Sequence, residues 1–207
     1  LQSEFETTDL ADRIVEAVVT EELSDLQSEF ILNRNMFYLS TIDESGYPSC
    51  SYKGGDLGFV RVIDPRTVVF PNYDGNGMFM SMGNIQAKEK VGLLFIDFET
   101  PQRLRLRGEA RCHRKGPMLA SYPGANLVVE ISVDHVWVNC PRYVHRMQSL
   151  EESPYLPGKD GNTALALWKR IDIVQDVLKS QDRAEAESLG LITVEEYEAY
   201  VARGKLL

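Results

Sequence analysis

The stretch RLRLRGEARC, residues 103–112, constrains the fold more than any other part of the chain. Leu104 and Leu106 fall on one side of an extended backbone, and Arg103, Arg105 and Arg107 on the other. Residues two apart share a face of a strand, whereas a helix would scatter these leucines and arginines around its axis. The segment is therefore read as a strand with one apolar and one polar face, the pattern of an antiparallel sheet covered on one side.

Six more segments have strand character. MFYLSTID and SCSYK flank the turn signal ESGYP and read as a hairpin. GFVRVID and TVVF are separated by DPR, another turn. VGLLFID is a continuous apolar run, as expected of a strand buried on both faces, and NLVVEISVDHVWVN is the last and longest. No helix among them is long enough for repeated βαβ crossovers. The expected class is mainly β (α+β), an antiparallel barrel or sandwich rather than a doubly wound sheet.

Helical patterns close both ends. Thr8 or Asp9 can cap LADRIVEAVVT, where Leu10, Ile14, Ala17 and Val18 share a side. Ser24 can cap DLQSEFILN, with Leu26, Phe30 and Ile31 as its stripe. After the Pro- and Gly-rich ESPYLPGKDGN, the segment TALALWKRIDIVQDVLKS shows a helical pattern, and TVEEYEAYVARG carries a capping box, Thr193 with Glu196. The division expected is a helical segment at 1–33, a β domain at 34–146, and a loop with a helical extension at 147–207.

A formal charge of -9 disfavours nonspecific binding to nucleic acid or to anionic membranes. No apolar run approaches the roughly 20 residues that cross a bilayer as a helix. Cys50, Cys112 and Cys140 are odd in number and widely spaced, which fits a reducing compartment, so a cytoplasmic protein is the expectation.

The candidate sites start from exclusions. His113, His135 and His145 lack metal-ligand spacing, and neither HExxH nor GxSxG occurs. The GxG of YDGNGMF is not a dinucleotide fingerprint. FPNYDGNGMFMSMGNI, residues 70–85, places small hydrogen-bonding residues between a strand and the next element. Gly75 and Gly77 admit positive φ there. Such a loop either reverses the chain or turns its amides toward an anion. The arginine stripe is either a solvated face or a guanidinium row aimed at a phosphate or carboxylate, with Arg103 or Arg105 as the contact. Lys53, at a strand end before two glycines, is either a surface lysine at a turn or a cation beside approachable backbone. Trp137 reads as core and Cys140 as a buried thiol. Pro141 ends the last strand and leaves Arg142 and Arg146 near a rim.

Taken together, STIDESGYPSCSYKGG, GFVRVID, TVVFPNYDGNGMFMSMGNI, VGLLFID, LRLRGEARC and VWVNCPRYVHR resemble, in order and spacing, the pyridoxamine 5'-phosphate oxidase-like superfamily of FMN-binding split barrels. The resemblance spans about residues 36–146 and is nearest to flavoprotein members with an NCPRY ending. It implies a six-stranded antiparallel split β-barrel with flanking N- and C-terminal helices, and a homodimer with FMN at its interface. It assigns Phe70, Pro71 and Asn72 to the flavin ring edge, and Asn76, Ser81 and Asn84 to the ribityl and phosphate end. Lys53 becomes a phosphate or ring-edge partner. Arg103 or Arg105, with Trp137 and Arg142, would come from the second subunit. Two departures stand out. Gly77 and Met78 replace an arginine that many relatives carry after the GN of this loop, and RYVHR reproduces the substrate-binding ending of the vitamin B6 enzyme only loosely.

The expectation is an FMN-dependent oxidoreductase acting on a small-molecule substrate or NAD(P)H, with Lys53 or Asn72 as the hydrogen-bond donor that tunes the flavin. The alternatives are a non-catalytic flavin carrier or sensor, a split barrel holding F420 or haem with His145 nearest a rim, and a barrel without cofactor that serves as an interaction module.

Overall fold

The computed structural model describes residues 1–204, which form two compact units, Leu1–Ser149 and a second beginning at Leu150. The first unit opens with helices α1 (Thr8–Val18) and α2 (Asp25–Leu32). Strands β1 (Met36–Ile42), β2 (Pro48–Gly54), β3 (Arg61–Asp64) and β4 (Thr67–Asn72) follow, then α3 (Met80–Ala87). Strands β5 (Lys90–Asp97) and β6 (Gln102–His113), the short helix α4 (Pro117–Ala120) and β7 (Leu127–Asn139) complete it. All seven strands join one antiparallel sheet in the order β2-β1-β5-β6-β7-β4-β3. They are the seven segments read from the sequence, one more than the six-stranded barrel of the resemblance.

The β1–β2 hairpin closes where expected. Asp43 N–H donates to the Tyr47 carbonyl at 2.9 Å, and the Asp43 carboxylate accepts from Tyr47 N–H at 2.8 Å. Ser24 caps α2 with a full capping box. Helix α1 forms, but Thr8 and Asp9, expected as its cap, lie in its first turn; Thr7 at the N-cap makes no side-chain bond and none of the helix is buried.

Alternation decides where the core lies. Phe37, Leu39, Leu93, Phe95, Leu104 and Leu106 point to one side of the sheet, where Phe59, Phe70, Val136 and Ile131 join them. Phe37 sits at the centre, with ring centroids 5.0 Å from Phe70, 5.2 Å from Phe95 and 5.9 Å from Phe59. At Gly108 the β6–β7 register shifts, and a Cβ there would lie 2.1 Å from the Ser132 carbonyl oxygen, so only glycine fits the bulge. The opposite face carries a row across five strands: Tyr52, Tyr38, Leu94, Arg105 and Trp137 are successive cross-strand partners. Trp137 therefore belongs to the outer face and not to the core, and Cys140, past the strand end, is exposed rather than a buried thiol.

In the second unit the helical pattern of 163–180 resolves differently. Two 3-10 segments, Leu167–Arg170 and Asp172–Val177, replace one helix, and α5 (Ser180–Leu189) and α6 (Val194–Ala202) follow. Ile171 stands extended between them because the chain pairs with Ile192: Ile192 N–H donates to the Arg170 carbonyl at 3.0 Å, and Asp172 N–H to the Ile192 carbonyl at 2.9 Å. This tertiary pairing overrides helix propensity. Leu167, Ile171 and Ile192 form the buried cluster, and Lys169 meets Asp182 at 3.0 Å beside it. The capping box of Thr193 and Glu196 is present.

Candidate functional site

Three elements of the first unit enclose a cavity of about 350 Å³. The end of β2 supplies Ser51 to Gly54, the end of β4 and its loop supply Pro71 to Gly77, and the start of α3 supplies Phe79 to Met82. Strand β2 is an edge, paired only with β1, so its outer side is open to a ligand. The loop is anchored at its start. Asn72 accepts from Asn126 N–H at 2.9 Å through its carbonyl, and its side-chain amide donates to Asn126 Oδ1 at 2.9 Å and to the Tyr73 carbonyl at 3.1 Å. The loop then turns into α3 through Gly77 at φ 77° and Phe79 at φ 50°, a conformation that a residue with a side chain adopts under strain.

Helix α3 is held from below. Ser81 shares a hydrogen bond with Ser51 at 2.9 Å, and Asn84 donates to the buried Thr41 hydroxyl at 3.0 Å. No side chain caps the N-terminus of α3, so the first-turn amides at the cavity wall carry the helix's partial positive charge uncompensated by the chain.

Lys53 adds a full charge. It lies opposite Phe37 and so emerges on the core side of the sheet. Burial holds its ammonium below the usual lysine pKa. It makes no ion pair or hydrogen bond among the described residues. A half-buried cation without a counter-ion, beside an uncapped helix start and glycines with open space at Gly75 and Gly77, is a setting for an anion. Pro71, Tyr52, Phe79 and Met80 give the same cavity apolar walls suited to a flat ring. Tyr73 forms the far wall, its phenol held protonated by burial and by Asp56, against the opposing pull of Arg61.

The structure thus brings Lys53, Pro71, Asn72, Asn76 and Ser81 together. Asn76 folds onto its own loop, accepting from Met78 N–H at 3.1 Å. Phe70 turns its side chain into the core and has only its main chain to offer. Asn84 lies behind the cavity wall, positioning α3. Both amide hydrogens of Asn72 are committed, which leaves its Oδ1 as an acceptor and Lys53 as the donor of the two. Arg103, Arg105, Trp137 and Arg142 line no part of this cavity. Arg103 donates to the Cys140 carbonyl, Arg105 faces outward opposite Trp137, and Arg142 is exposed past the end of β7. Ser51, Tyr52, Tyr73 and Phe79 were not foreseen. Ser51 could have been, since it shares the face of Lys53 two residues away.

A second hollow of about 440 Å³ has Glu99, Arg146, Met147 and Gln148 in its wall among the described residues and lies open on the surface. Among the described residues no group of three or more His, Cys, Asp or Glu could hold a metal ion, and no helix is long and apolar enough to cross a membrane.

A family model described as pyridoxamine 5'-phosphate oxidase matches residues 23–154. No curated protein matches the chain significantly. Among solved structures, the chain is similar to HupZ of Group A Streptococcus at 17% identity, covering 61% of this chain and 99% of the other, with a TM-score of 0.48. A protein from Lactobacillus delbrueckii, assigned to the pyridoxamine 5'-phosphate oxidases, is 25% identical over 57% of this chain and 95% of its own, with a TM-score of 0.48. An FMN-binding protein from Syntrophomonas wolfei is 12% identical over 67% and 96%, with a TM-score of 0.40.

Proposed function

The chain belongs to the pyridoxamine 5'-phosphate oxidase family, and on that premise we propose that it is an FMN-dependent oxidoreductase whose flavin sits in the β2–β4–α3 cavity of a homodimer. The observation that carries this reading is the convergence of an unpaired Lys53, the uncapped start of α3 and apolar walls in one cavity, from segments far apart in sequence.

The residues fit the group. Lys53, Ser81 and the first-turn amides of α3 would take the phosphate, whose negative charge suits an ammonium beside an uncapped helix start. Pro71, Tyr52 and Phe79 would flank the ring, while Asn72 Oδ1 accepts from a ring N–H. Bound there, FMN would supply the hydride or electron transfer, with NAD(P)H or a small organic molecule as reaction partner. The protein's part is to orient the ring, to hold a proton on Lys53, and to keep water from the apolar wall. No histidine lines the cavity among the described residues, which favours a flavin over haem.

The dimer reading rests on the outer row. A two-fold axis along the strands at Leu94 would lay the Arg105 and Trp137 end of one copy over the Tyr52 end of the other. Arg103, Arg105, Trp137 and Arg142 would then reach the cavity from the second subunit. The test is to add FMN to the purified protein, desalt it, and record the visible spectrum together with the mass in solution. A retained flavin spectrum on a dimer is the expected result. A colourless monomer would overturn both parts.

A further inference from the structure

Helix α1 presents an apolar stripe that nothing in the first unit covers. Leu10, Ala11, Ile14, Val15 and Val18 share one side, and Asp9, Asp12, Arg13 and Glu16 the other. Leu10 is 60% exposed, Ile14 49% and Val15 55%. An isolated helix shorter than about 12–15 residues is marginal in water, and helices of this length draw their stability from packing of the apolar face. With none of its residues buried, α1 lacks that packing within the first unit.

A second uncovered apolar patch lies at the cavity mouth. Tyr52, Met78, Phe79 and Met80 are each half exposed or more. The two patches sit at opposite ends of the outer row. α1 runs into Thr20, which is pinned to β7 by two hydrogen bonds with Val136, at 3.0 and 2.8 Å, next to Trp137. The cavity mouth lies at the Tyr52 end.

We propose that α1 of one copy packs its Leu10, Ile14 and Val18 stripe against the Tyr52, Phe79 and Met80 rim of a second copy, and so covers that copy's cavity. The proposal rests on the two-fold dimer reading above, because only the pairing that lays Trp137 over Tyr52 brings α1 to the rim. Continuity argues for it as well: the outer row ends at Trp137, and the bridge between Thr20 and Val136 attaches α1 to that end of the row. Each copy offers one helix and one rim, so the contact closes on itself. Access to the flavin would then be controlled in trans, by the opening of a helix belonging to the other subunit.

Hydrogen exchange of the full chain with FMN tests this, alongside its mass in solution. In the wild-type dimer, amides of 8–18 should exchange at least about tenfold slower than a free helix of that length. Ile14→Asp changes no buried residue and leaves the fold intact. That variant, and Met80→Asp on the rim, should each release that protection, and the double variant should release no more than either alone. Fast exchange of 8–18 in a wild-type dimer would overturn the α1 contact while leaving the dimer reading in place. A monomeric wild type would overturn both, and protection that persists on dilution to monomer would place α1 on its own chain and overturn the contact in trans.

Discussion

Lys53 lies directly across the β1–β2 pair from Phe37, so a lysine shares the face of the sheet that carries the centre of the core. The edge position of β2 lets its ammonium reach the cavity instead of the phenylalanine cluster. Burial lowers its pKa, and among the described residues it forms no ion pair. A charge held in that way destabilises the empty fold and favours an anion, and the account of the site turns on this pair.

The first prediction concerns pH. In the folded chain without ligand, Lys53 loses its proton below the roughly 10.4 typical of an unfolded lysine. The unfolded chain binds more protons through that window, so the contribution of Lys53 to stability improves as pH rises through the depressed folded value toward the unfolded one. Affinity for FMN runs the other way, because the anion needs the protonated lysine. FMN binding should weaken with rising pH at values below the ordinary lysine range, and Lys53→Arg, always charged, should flatten that dependence. Fluorescence titration over pH checks both.

Asn84 acts on the site through position. Its amide is the hydrogen-bond partner of the buried Thr41 hydroxyl, and it ties α3 to β1. Asn84→Ala should cost about 1–3 kcal/mol, since the Thr41 hydroxyl is left unsatisfied. Thermal unfolding should show the loss, with weaker FMN binding because the first turn of α3 is no longer held. Asn84→Asp, which loses the donated N–H but can accept from the Thr41 hydroxyl instead, should recover part of it.

Gly108 tests the fold away from the cavity. Gly108→Ala would drive a methyl into the Ser132 carbonyl at the β6–β7 bulge. Overpacking of this kind costs about 1–3 kcal/mol. Denaturant unfolding should show that loss, with FMN affinity little changed in the protein that remains folded.

Arg105 tests the second subunit. It faces outward in the row that ends at Tyr52 and is remote from the cavity of its own chain. Arg105→Glu should weaken FMN binding and loosen the dimer together, as read by titration and by mass in solution. Unchanged values for both would remove Arg105 from the shared site.

Much of the fold was legible because alternation is local. Leu104 against Arg105, or Phe37 against Tyr38, states which side faces the core without knowledge of any neighbour. The row from Tyr52 to Trp137 was not legible, since cross-strand register depends on turns and a bulge that no single segment contains. That is why Trp137 reads as core in sequence and lies on the outer face in the structure. Ile171 failed for a related reason: its local pattern is helical, but the distant Ile192 holds it extended. At the site, the loop after β4 announced itself through Asn72, Asn76 and Gly77, whereas Tyr73 and Phe79 looked like ordinary aromatic residues. Strand parity turns the ring of Phe70 inward, while Pro71 lines the cavity.

The most direct measurement is a titration of FMN and riboflavin, which differ by the phosphate, against the wild type and Lys53→Ala. A lost charge-assisted contact is worth about 1.5–3 kcal/mol, or roughly 10- to 100-fold in affinity. The account predicts that FMN binds the wild type more tightly than riboflavin by at least that factor, and that Lys53→Ala brings FMN close to riboflavin. Equal binding of the two flavins to the wild type, or an FMN affinity unmoved by the substitution, would contradict it.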